Sequence, residues 1–248
     1  MLQYPPCKGY YEVVQRQPAL LRLQELTQDQ WGLVTRQQLR EAGVGNTTLE
    51  RLTAPGGGLD RVATGVYRLV VAPIPDHLDL RAAWLQLAPG VPAWERTADQ
   101  GVVSHRSAAV VYGLGHFPAD RHEFTVTKRK QTRRPDVRVH LRLIDDRELA
   151  SLRGLPVTRP SRIASDLLRD HEDPEGIGQL IDDAIRLAYD DPGSFADSLA
   201  AHAARFGLAK GAGLELLDWF LDLANDPVKD RWMDKARAHV DQAAGIKT

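Results

Sequence analysis

One cysteine, Cys7, is present among 248 residues, so no intrachain disulfide can form and zinc sites built from several thiolates are excluded. No apolar run approaches the roughly 18 residues that a membrane helix needs. The first residues, MLQYPPCKGYYEVVQRQ, lack the basic-then-apolar order of a secretory signal, and a cytoplasmic protein is the expectation. The eight histidines include no HExxH spacing. His105 and His116, or His116 and His122, are close in sequence but scattered over a helix, a loop and a strand, so neither a metal nor a cofactor is expected. Ser104 and His105 stand together in SHRSA, yet there is no strained glycine elbow and no later acid-histidine order to complete a triad. Ser104 reads as a helix cap, and no catalytic residue is assigned.

What is present describes a globular chain: 43% hydrophobic and 26% charged residues, long enough for two domains. The net charge of -1 conceals an asymmetry. Between Arg121 and Arg142 there are eight Lys and Arg against two acids, a local balance of +6. Between Asp166 and Asp226 there are fourteen acids against four bases, a balance of -10. A phosphate-binding region joined to an acidic one leaves this footprint.

Residues 1–17 carry paired prolines and no caps, and read as an arm without an assigned role. Pro18 to Gln28 has the leucine spacing of a helix. Thr35 and Gln38 then have capping-box spacing, with Val34 and Leu39 as a hydrophobic staple, so a helix begins after Thr35 and ends at Gly43. Thr47 and Glu50 repeat the box and predict a second short helix running to Pro55. Two helices joined by a glycine-containing turn make a helix-turn-helix. On the second helix Leu49 and Leu52 face inward, leaving Thr47, Thr48 and Arg51 at the exposed start, where a recognition helix meets base edges. Leu59–Val62 and Val66–Val70 read as strands of a hairpin with a three-residue connection, Ala63-Thr64-Gly65. Arg61, Thr64 and Arg68 on that wing are expected to contact phosphates.

Val71–Pro75 reads as a linker, so the winged helix spans 18–70 and a second domain 76–248. In that domain Asp76 caps a helix carrying Leu80, Trp84 and Leu87, and Pro92–Gln100 is polar and irregular. Strands are expected at Gly101–Val103, His122–Val126, Val137–Leu143 and Leu155–Thr158. Between the middle two runs a basic segment with Lys128, Arg129, Lys130, Arg133 and Arg134, continued by Arg138 and Arg142. It can lie along a phosphate backbone or be a solvated hairpin tip, and the preceding reading module favours the first. From Pro174 onward apolar stripes recur at helical spacing: Ile177 to Ala188, Phe195 to Ala203, Leu214 to Ala224. Leu216, Trp219 and Phe220 broaden the last stripe into a partner surface or a bundle contact. The fold class is therefore α+β: an N-terminal winged helix-turn-helix, then a mixed α/β domain to about residue 170 with a helical C-terminal part.

The blocks WGLVTRQQLREAGVGNTTLERL, GVYRL, VVSHRSAAVVYGLG, HEFTVTKRKQTRRPDVRVH and GLPVTRPSRIASDLL, in that order, resemble the bacterial AbiEi-type antitoxins over roughly Pro18 to Arg169. The resemblance implies a regulator that represses its own toxin-antitoxin promoter by binding duplex DNA repeats and counteracts a nucleotidyltransferase toxin. A monomer or weak dimer away from membranes is expected. Two alternatives stand beside it. One is a stand-alone winged-helix regulator. The other follows from relatives that join such a module to a nuclease-like domain, which would need clustered acids and a lysine on a sheet. Asp182-Asp183 and Asp190-Asp191 are paired acids in and beside a helical stripe, and read as a solvated face.

Overall fold

The computed structural model describes residues 23, 24, 26–118, 120–132 and 134–245, with side chains to residue 242. The chain is mixed α and β, and divides into two compact units, residues 1–100 and 101–248. The expected boundary at the 71–75 linker lies inside the first unit. The arm at 1–17 and the start of the first helix lie outside the described residues.

In the first unit residues 23–24 and 26–28 are helical, and β1 (Leu33–Thr35), α1 (Arg36–Glu41), α2 (Asn46–Thr53), β2 (Leu59–Ala63), β3 (Val66–Leu69) and α3 (Leu78–Leu87) follow. Both arms of the expected capping box close: the Gln38 amide N–H donates to Thr35 Oγ1 at 3.1 Å, and the Thr35 N–H donates to Gln38 Oε1 at 2.9 Å. Gly43, at φ +86, ends α1, where the Gly43 N–H reaches the Arg40 carbonyl and the Val44 N–H the Leu39 carbonyl. That is the paired-bond ending glycine permits, and it brings Val44 back onto Leu39 in the core.

β1 was not legible as a strand. It makes the sheet three-stranded and antiparallel, in the order β1-β3-β2, with Leu33 opposite Arg68 and Leu59 opposite Leu69. Leu23, Val34, Leu39, Val44, Leu49, Leu59 and Tyr67 form one core cluster against which Leu52 and Leu69 pack. By the common coefficient of about 25 cal/mol per Å² of apolar area, burying each such side chain stabilises the fold by roughly 1.5–3 kcal/mol before entropy is charged.

α3 belongs with this core. Trp84, 1% exposed, meets Trp31 edge to face at 5.8 Å, and the Arg81 guanidinium stacks over Trp31 at 4.2 Å. These contacts place the unit boundary after Gln100 instead of before Asp76. Asp76 does not cap α3, whose first turn follows His77 at φ +55. The Asp76 carbonyl accepts from Arg81 Nε at 2.8 Å instead. Within Pro92–Gln100, which forms two 3-10 turns, Arg96 satisfies the orphan carbonyls ending α3 by donating to Trp84, Leu85 and Ala88. Burial lowers its pKa to about 9, which leaves it charged near neutrality.

The second unit contains β4 (Val102–Val103), α4 (His105–Tyr112), β5 (His122–Val126), β6 (Val137–Leu141), β7 (Leu149–Leu152) and β8 (Leu155–Thr158). Five helices follow: α5 (Pro160–Arg169), α6 (Pro174–Arg186), α7 (Pro192–Leu199), α8 (Gly213–Leu223) and α9 (Lys229–Gly245). The sheet order is β6-β5-β4-β8-β7. α5 is buried from Pro160 to Leu168 and touches α4, α6 and α7, which makes it the hub of the helical layer. The expected stripes are inside, except at Leu214 and Ala224, which are half-buried, and at Ala188, which is exposed and left-handed at φ +55. Leu216 and Phe220 are buried, whereas Trp219 stays 40% exposed, so the broadened face is mainly a bundle contact. Among the described residues no helix is long and apolar enough to cross a membrane.

Candidate nucleic-acid interface

α2 is capped two residues earlier than expected. Its N-cap is Gly45, which has no side chain to offer, so Thr47 lies inside the first turn and the second capping box does not form. The consequence favours a ligand: Thr47 and Arg51 are exposed and Thr48 half-buried, while Leu49 and Leu52 hold the helix to the core. Among the described residues none hydrogen-bonds or ion-pairs with Arg51. Two residues missed from sequence join this surface. Arg36 Nη2 donates to Asn46 Oδ1 at 3.1 Å, placing a second exposed guanidinium against the start of α2. They are ten positions apart, and only the turn between α1 and α2 brings them together.

The hairpin is one residue tighter than expected. Ala63 pairs with Val66, so the connection is Thr64-Gly65, with Gly65 at φ +70 and a bulge between Arg61 and Ala63. Its tip is held from two sides: the Arg36 N–H donates to the Gly65 carbonyl at 2.8 Å and Gln86 Nε2 to the Thr64 carbonyl at 2.7 Å. Arg61 and Thr64 remain exposed. Arg68 does not. It is 9% exposed, paired with Asp60 at 2.7 Å, and donates to the Leu69 and Ala72 carbonyls, so the phosphate role expected for it is withdrawn. The reason is register: Asp60 stands opposite Arg68 across the β2-β3 ladder.

The basic segment is not a hairpin tip. β5 and β6 are parallel, with His122 opposite Val137 and Val126 opposite Leu141, so the chain between them makes a return crossover with no helix among its described residues. Lys128 and Arg129 are exposed and Lys130 is half-buried. Arg133 lies outside the described residues. Arg134 pairs with Asp136 two residues on, and the pairing holds the Asp136 carboxyl down at about 2. Arg138 bridges Asp170 at 3.0 Å and Glu123 at 3.6 Å. Arg134 and Arg138 are thus engaged in ion pairs within the protein, contrary to expectation, although the Arg138 side chain stays 49% exposed.

Arg138 belongs to a cluster that the sequence did not group. Glu123, 5% exposed, accepts from the Arg106 N–H at 3.0 Å and faces His140 Nε2 at 3.3 Å. Burial alone would raise its pKa, but the hydrogen bonds with His140 and from the Arg106 N–H help outweigh that, and it is lowered. His140 stacks on His105, centroids 3.6 Å apart and planes 13° from parallel. Burial, then the neighbouring His140, push the His105 imidazole down to about 3, so it is neutral. Donor atoms of His105, His140 and Asp170 lie within 4.8 Å of one another, which invites a metal. The arrangement opposes one. Parallel rings aim their lone pairs side by side instead of at one point, and Arg138 already occupies the Asp170 and Glu123 carboxylates. Ser104 takes the expected N-cap position of α4, but its hydroxyl makes no capping bond: it meets His105 Nδ1 and accepts from Thr125 Oγ1, both at 2.9 Å. A serine and a histidine do touch there, but at 0% and 2% exposure no substrate reaches them.

No family model and no curated relative matches this chain. Among solved structures it is similar to the RV2827C protein of Mycobacterium tuberculosis, at 20% identity over 87% of this chain and 80% of that one, with a TM-score of 0.48.

Of the paired acids only one of each pair is buried, while Asp183 is half-buried and Asp191 exposed. Asp182 and Asp190 are each 6% exposed. Asp190 accepts from Arg159 and the Ser161 N–H, both at 2.9 Å, closing α5 onto the α6-α7 turn. Arg186 links Asp182 at 2.7 Å to Asp226 at 2.5 Å. Arg162 on α5 likewise joins Asp166 at 2.9 Å to Glu148 at 2.6 Å. These carboxylates are spent on holding helices together.

Proposed function

We propose that this chain is a cytoplasmic DNA-binding antitoxin of the AbiEi type, which represses its own toxin-antitoxin promoter and counteracts a nucleotidyltransferase toxin. The observation that carries the DNA half is the exposed start of α2. Thr47 and Arg51 point away from the core, the Arg36-Asn46 pair sits beside them, and a hairpin carrying exposed Arg61 and Thr64 follows. The order helix, strand, helix, helix, strand, strand fits a winged helix-turn-helix, with α2 as the recognition helix in a major groove. Arg51 forks onto guanine, and the threonines are less selective. Arg61, Thr64 and the Lys128–Lys130 run contact phosphates.

The antitoxin half rests on the ordered sequence blocks. The test is binding of the purified protein to duplex DNA from upstream of its own reading frame, titrated against salt. Co-expression with a nucleotidyltransferase, where the neighbouring reading frame encodes one, then asks whether growth is rescued. Sequence-selective, salt-sensitive binding with rescue is the expected result. Binding without rescue would leave a stand-alone regulator, and magnesium-dependent degradation of the duplex would replace both with a nuclease.

A further inference from the structure

The outer edge of β6 is open, and its chemistry is not that of a phosphate surface. The ladder with β5 uses the inward peptide groups: the His122 N–H donates to the Asp136 carbonyl and the Arg142 N–H to the Val126 carbonyl. Alternation along a strand then turns the N–H and C=O of Val139 and Leu141 outward. Among the described residues nothing pairs with them, since β6 is the first strand in the sheet order. Val137, Val139 and Leu141 share one face and become steadily more exposed, reaching 56% at Leu141, and Leu143, two residues past the strand, is 84% exposed. A phosphate backbone laid against these leucines would lose hydration without a hydrogen bond in return. A strand would cover them.

We propose that the outer edge of β6 is a docking edge for an extended acidic segment of a protein partner, taken up as an added strand. Main-chain bonds to Val139 and Leu141 would supply affinity, and alternate apolar side chains of the segment would cover Leu141 and Leu143. Charge selects the occupant. β6 and the two residues after it carry no acid; Arg138 is paired with Asp170 and Glu123, so the open positive charge here is that of exposed Arg142 and of exposed Arg129 in the crossover before it. Two copies meeting edge to edge would set these arginines against each other, which disfavours a second copy of this chain. An open edge with exposed leucines is an aggregation hazard unless it has a partner, and exposed Arg142 guards it until the partner arrives.

The test uses the full-length protein and three synthetic peptides: one alternating valine with aspartate and glutamate, a lysine counterpart, and the acidic peptide with a central proline. Fluorescence anisotropy reads binding, and hydrogen exchange reads the Val139 and Leu141 amides. Val139→Pro removes the outward donor without touching the β5 ladder. Arg142→Glu and Leu143→Lys change exposed side chains only and guard against misfolding of the proline variant. The expected result is binding of the acidic peptide alone, slowed exchange at both amides, and affinity reduced at least tenfold in each variant. Equal binding of the lysine peptide, unchanged exchange, concentration-dependent self-association through these amides, or their protection by duplex DNA would each overturn the proposal.

Discussion

Arg61 and Arg68 stand on adjacent strands of one hairpin, and pairing separates their roles. Arg61 is exposed and without an ion-pair partner among the described residues, whereas Arg68 is buried against Asp60 and two carbonyls. Arg68→Ala should therefore lower the melting temperature, costing about 1–3 kcal/mol, and leave the salt dependence of DNA binding unchanged. A reduced salt slope with unaltered stability would return Arg68 to the phosphates. Asp182 gives a second test at this scale. Burial and Asp226 raise its carboxyl from 3.8 to about 6, so the folded state holds the proton more tightly than the unfolded chain. Its contribution is complete below about 4 and is lost as pH rises through 6. Asp226 is shifted down, so its own contribution is lost only at more acidic pH. Thermal unfolding of Asp182→Asn measured from pH 4 to 7 should show a flatter decline than the parent chain, and parallel profiles would refute the assignment.

Among the elements, α2 and α5 do opposite work. α2 buries Leu49 and leaves its first turn open, which a helix needs if it is to enter a groove. Arg51→Ala should weaken binding at the specific site by about 1–3 kcal/mol while leaving other sequences unaffected, as anisotropy on matched and scrambled duplexes will read. α5 is closed on nearly every side, and Arg162 is fixed between Asp166 and Glu148. Arg162→Ala leaves the fully buried Asp166 with Arg169 as its remaining cation, and should destabilise the protein by about 3–5 kcal/mol in denaturant titrations. A loss below 1 kcal/mol would show that water reaches Asp166. The capping boxes show why elements differ in legibility. Thr35 and Gln38 close theirs because both arms lie within one helical turn. Thr47 and Glu50 have the same spacing, but the Schellman ending at Gly43 delivers the chain so that the helix opens at Gly45 first.

For the whole molecule the decisive quantity is the distribution of unpaired charge, since the net value of -1 predicts no affinity for DNA. Of the basic run, Arg134 and Arg138 are neutralised by Asp136, Asp170 and Glu123, and exposed Arg129 has no ion-pair partner among the described residues. Arg129→Ala should weaken all duplexes alike and reduce the slope of log affinity against log salt by about 0.9, while Arg134→Ala should change it little. Equal effects from the two variants would mean that the Asp136 pair opens on DNA.

What the residues alone determined is local: the first capping box, the glycine that ends α1, the hairpin, and the helical period of the apolar stripes. Each depends on hydrogen bonds or side-chain spacing within a few positions, so the letters carry it. Tertiary structure decided the rest. It made β1 a strand by supplying β3, set β5 and β6 parallel, placed Asp60 against Arg68, and joined α3 to the first unit through Trp31 and Trp84. Those outcomes depend on pairings between residues far apart in the chain, and a cation in sequence does not reveal whether a carboxylate will meet it.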